Sequence, residues 1–203
     1  MPFSQVIYNM LAHGMDPLFT IMVMVARLMG LGMFIVGLNR LHKHAGFQSV
    51  NRVSAKGTAF YLLSGAVLIA FMPELTALSS GLVGPAIPSE LLNTCTASGP
   101  ANAGNFLSGQ YPCPMIAYAN EIKSNTQWSQ AQVMADFAYA TLTLIGVYAF
   151  IKGFVLLVKL GDGQQQQGGM GQAVTHILAG VVGVNGPFFY SVLSSLLSGF
   201  GVN

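Results

Sequence analysis

Cys95 and Cys113 are the chain's two cysteines, and the chemistry open to such a pair is oxidation to a disulfide. They bracket CTASGPANAGNFLSGQYPC, a stretch rich in Gly, Ser, Asn and Pro. Closing that loop in an oxidising compartment would stabilise the fold by roughly 3 kcal/mol on chain-entropy grounds. The bland reading is two free thiols. A metal site is not expected, because the histidines lie elsewhere and two thiolates leave a tetrahedral set incomplete.

Arg27 falls near the middle of an apolar run, where a charge costs about 2.5–3.5 kcal/mol on the insertion scale. It either pairs with Asp136 or Glu74 on a neighbouring helix or subunit, or extends its long stem toward lipid headgroups. His176, in THILAG, reads as a hydrogen-bonded packing or interfacial residue, while His42 and His44 flank Lys43 in a basic cluster. No phosphate loop, GxGxxG after a strand, HExxH or GxSxG is present. The expectation is a non-enzymatic protein with no cofactor.

The elements that must hold these residues are membrane helices. The chain has 203 residues, 53% hydrophobic and 7% charged, with a mean hydropathy of +0.59. Soluble domains carry roughly 25% charged residues, so an integral membrane protein is the class that fits. The net charge of +2 is small and its basic residues scattered, which argues against direct nucleic-acid binding. No Lys or Arg precedes Arg27, so the positive start of a cleavable signal peptide is not expected.

A crossing helix needs about 20 apolar residues. Four spans can be drawn, at 17–38, 57–78, 134–158 and within 173–201. Pro73 and Pro187 predict bends late in the second and fourth.

The spans form a duplication. At an offset of 116, Gly30 falls on Gly146, Phe34 on Phe150, Gly37 on Gly153 and Lys43 on Lys159; after a one-residue slip Gly65 falls on Gly180. The expected fold is all-α, four transmembrane helices in two parallel-repeat hairpins. The segments are 1–78 with the first hairpin, 79–131 as an extracytoplasmic loop and 132–203 with the second hairpin. Gly30, Gly37, Gly65, Gly146, Gly153, Gly180 and Gly183 are the expected packing positions, since close backbone approach drives helix association in lipid. They suit contacts between copies and contacts within one chain equally.

Charge sets the expected orientation. Arg40, Lys43, Arg52 and Lys56 lie between the first two spans, and Lys159 opens the connector that carries DGQQQQGGMG between the last two. Residues 79–131 hold Glu90 and Glu121 against Lys123. Lys and Arg favour the cytoplasmic side, so both termini and the central loop should be periplasmic. The five basic residues then contact lipid headgroups.

The glycine-rich helix running into a basic turn, GLGMFIVGLNRLHKHAG, the later THILAGVVGVN and the loop with paired cysteines resemble the IcmC/DotE-like small inner-membrane proteins of type IVB secretion and IncI-type conjugation systems. The resemblance covers more than half of the chain. It implies a structural subunit of an envelope-spanning apparatus in the bacterial inner membrane, with other secretion or conjugation subunits as partners in a homo- or hetero-oligomer. The QQQQ run and the stretch after Pro187 do not map onto that family. Two other roles remain open, a pilin-like subunit of a conjugative filament and a small transporter or channel.

Overall fold

The computed structural model describes residues 3–45, 55–71, 93–96, 99–102, 111–112, 130–163 and 169–186. Helices dominate them: α1 (Phe3–Met10), a π-helical turn (Leu11–Met15), α2 (Asp16–Ala45), α3 (Ala55–Ile69), α4 (Gln130–Gly161) and α5 (Gly169–Val184). Three short strands, β1 (Asn93–Thr96), β2 (Gly99–Asn102) and β3 (Tyr111–Pro112), form an antiparallel sheet in the order β2-β1-β3.

Two helices are long and apolar enough to cross a membrane, over Gln5–Lys43 and Val133–Gly161. At about 1.5 Å per residue each exceeds a hydrocarbon core of roughly 30 Å. α3 and α5 are apolar too, but their 15 and 16 residues rise only about 22–24 Å. The rest of the second and fourth expected spans lies outside the described residues, as do Pro73 and Pro187.

Helix ends differ from the hydropathy boundaries for local reasons. The expected first span starts at Pro17, yet α1, the π turn and α2 form one continuous helical run beginning at Phe3. Pro17 has no N–H and its ring crowds the carbonyl one turn earlier. The wider π turn just before it, closed by the Asp16 N–H on the Leu11 carbonyl, accommodates that ring without ending the helix. At the other end α2 continues to Ala45, so Arg40 and Lys43 lie on its last turns and not in a loop. Cations there complement the negative end of the helix dipole. α4 stops at Gly161, where Asp162 donates its N–H to the Val158 carbonyl and Gly163 takes a positive φ of 75°. That is the left-handed glycine cap a helix end favours.

α2 packs on α3, α4 on α5, and α3 joins the two pairs through α4. Gly30 meets Leu68 while Gly37 meets Leu62, so α2 and α3 are antiparallel; Gly146 meets Val184 while Gly153 meets Ile177, so α4 and α5 are too. α3 and α4 also oppose each other, with Gly57 at Gly161 and Phe71 at Phe150. α2 and α4 therefore run one way and α3 and α5 the other. One core links all four, with Phe19, Phe71, Phe150, Leu68, Val147 and Val181 fully buried. Phe150 meets Phe71 edge-on at 5.7 Å and Phe154 at 5.1 Å. Such pairs add about 0.5–1.5 kcal/mol each beyond their burial.

Candidate assembly surface

The closest helix contacts are backbone against backbone at glycine. A methyl on Gly65 would stand 2.7 Å from the Phe34 nitrogen, and one on Gly180 would stand 2.7 Å from the Phe150 nitrogen. One on Gly30 would stand 2.8 Å from the Ile69 nitrogen, and one on Gly146 would stand 2.7 Å from the Val184 nitrogen. Gly37 lies on Leu62 as Gly153 lies on Ile177, and Gly183 lies against the Gly146 Cα. These contacts match position for position, at offsets of 116 for α2 with α4 and 115 for α3 with α5. The two glycine seams are one piece of geometry used twice.

Between the pairs, α3 and α4 approach most closely at Gly57 and Gly161, where a Cβ on either would collide with the other's backbone. Beside this point sits a polar latch. Arg40 of α2 forms an ion pair with Asp162 at 2.5 Å, and the Tyr61 hydroxyl donates to the other Asp162 oxygen at 2.6 Å. The Arg40 guanidinium also lies 4.2 Å from the Tyr61 ring centre, within cation–π range. Arg40 and Tyr61 thus offset the repulsion between the Asp162 carboxylate and the C-terminal end of α4.

Basic residues outweigh Asp162 at one end of the bundle. Among the described residues, Arg40, Lys43, Lys56 and Lys159 gather where α2 and α4 end. Asp16 and Asp136 lie near the opposite end, where those helices begin. Lys43, Lys56 and Lys159 are exposed, and Arg27 is half-buried within α2. Several polar side chains along the helices are satisfied locally. The hydroxyls of Thr141, Thr143 and Thr175 and the His176 Nδ1–H each donate to the carbonyl four residues earlier. Such local bonds let polar side chains lie on apolar helices without a distant partner.

Glu74, Arg52 and Cys113 lie outside the described residues, so the pairing of Arg27 with Glu74 and the Cys95–Cys113 bridge lie outside them as well. Cys95 is on β1, where the backbone register sets it opposite Tyr111 of β3. Four residues that sequence reasoning missed are Tyr61, Asp162, Gly57 and Gly161. Asp162 opens a polar connector, and nothing in its neighbourhood signals a partner 122 positions away.

The chain matches no known family pattern, and no characterised protein or solved structure is significantly similar to it.

Proposed function

We propose that the chain is a non-enzymatic, multi-pass subunit of the bacterial inner membrane that works by assembly. The observation that carries this reading is the doubled glycine seam, which spends the inner faces of four helices on packing and leaves apolar side chains on the outer ones. Its four helices cross as two like-oriented hairpins. The end bearing Arg40, Lys43, Lys56 and Lys159 faces the cytoplasm and touches headgroups, and both termini and the central loop are periplasmic. A Cys95–Cys113 disulfide closes that loop for docking; support comes from the β1–β3 register, which brings Cys95 opposite a residue two positions from Cys113.

The sequence resemblance to IcmC/DotE-like proteins supports a place for the subunit in a type IVB secretion or conjugative transfer apparatus. Purification from membranes in mild detergent tests this. The expected result is a defined complex containing other secretion or conjugation subunits, and a lone monomeric carrier would reject it. Arg27→Gln separates assembly from transport: lowered abundance with normal flux per molecule fits a scaffold, whereas lost flux at normal abundance fits a transporter. A filament subunit is the second reading, favoured by the packing of α3 on α4, which joins the two helix pairs through one helix of each. Recovery of the protein in sheared extracellular filaments would support it.

A further inference from the structure

The joint between the two helix pairs is not two-fold. A two-fold relation would repeat the α3·α4 contact as an α5·α2 contact within the same chain. α3 packs broadly on α4, but among the described residues α5 has no comparable contact with α2. The first pair thus meets the second head to tail, and a head-to-tail joint between like units leaves one copy of each of its faces open.

Those open faces can be read residue by residue. On α4, Leu144, Val147 and Phe154 are buried, at 8%, 0% and 5% exposed. Their counterparts on α2, at the offset of 116, are Leu28, Leu31 and Leu38, which are 70%, 49% and 47% exposed. On the α3 side, Gly57 and Phe60 meet Gly161 and Phe71 meets Phe150, while Ser64 is buried and Val67 half-buried. Their α5-side counterparts at 115 are Gln172, Thr175, Ala179 and Val182, all exposed, and Gly186, which is buried against Leu142.

We infer that a second copy of this chain covers these faces, with α5 of one copy packed on α2 of the next as α3 packs on α4 within a chain. This rests on the bilayer reading above. The internal joint supplies both the template and the choice of occupant. Each open face has the same helix register and the same relation to its glycine seam as a face already buried in the molecule. A contact of this kind does not close on a dimer; it propagates to a ring or a helical array. The latch is not copied, since the counterparts of Arg40, Tyr61 and Asp162 are Leu156, His176 and Gly46. The joint between copies is therefore weaker than the internal one and is lost first in detergent.

Photocrosslinking in intact membranes tests the proposal. A benzophenone amino acid replaces Leu38 in one variant, Val182 in a second and Val36 in a control; Val36 is exposed and its counterpart, Lys152, is exposed too. Probes at Leu38 and Val182 should give dimer-sized and larger adducts that the Val36 probe does not. Peptide mapping should join position 38 to α5, and position 182 to α2, of another copy. Adducts to lipid only, to a different protein only, or between α2 and α2 would overturn the inference and leave the bilayer reading intact. Recovery of the unirradiated protein in the soluble fraction would instead remove the bilayer reading, and this inference with it.

Discussion

At the scale of single residues, the glycines separate sharply by what a methyl group would strike. At Gly65 and Gly180 it would strike the partner helix's backbone, which cannot rotate away; at Gly32 it would meet nothing within 4 Å. Gly65→Ala and Gly180→Ala should each destabilise the fold by about 1–3 kcal/mol, the range for overpacking. Gly32→Ala should be neutral or gain up to about 1 kcal/mol from helix propensity. Reversible unfolding in dodecyl sulfate micelles would measure both, and equal losses at positions 32 and 65 would contradict the seam. The latch gives a second prediction. Arg40→Gln and Asp162→Asn should each cost little, with a coupling of about 0.5–1 kcal/mol in a double-mutant cycle, because both side chains remain partly exposed. The seam glycines were legible as a repeat because their spacing survives in the sequence. The latch was not, because an ion pair between separate helices leaves no periodic trace.

At the scale of elements, hydropathy located apolar runs but not helix ends. A helix does not stop where its apolar residues stop: α2 runs on through Arg40 and Lys43 because these still suit a C-terminal turn. The expected first span began at 17, whereas the helical run begins at Phe3 and carries His13 and Gly14 in the π turn that precedes Pro17. The sheet was hidden by composition, since a loop rich in Gly and Pro gives no alternating pattern over strands of four and two residues. A prediction belongs here. On a non-reducing gel the untreated protein should migrate faster than after reduction, and Cys95→Ser and Cys113→Ser should each remove that difference. Identical migration in every case would argue against a bridge.

At the scale of the whole molecule, the excess of basic residues at one end predicts how it sits. A green fluorescent protein inserted after Asp162 should fold and fluoresce, and alkaline phosphatase inserted between Ala103 and Gln110 should be active. The reverse pattern would invert the proposed topology, because alkaline phosphatase needs its disulfides and an oxidising compartment. The helical class, two helices of membrane-crossing length and the repeat of the seam glycines were legible from the chain alone, since low charge and repeated glycines are properties of composition and order. The joint between the pairs was not, because it is set by which faces meet, and two pairs with the same pattern can meet in several ways.

The seams have one more consequence. A contact made of main chain against main chain freezes almost no side-chain rotamers, so each pair can zip shut as soon as its second helix emerges. The joint between pairs, which sets Phe71 on Phe150, Phe60 on Gly161 and Arg40 on Asp162, has to wait for both. Biogenesis then proceeds in two instalments, and a chain severed between Ala103 and Gln110 should yield halves that recombine when expressed together.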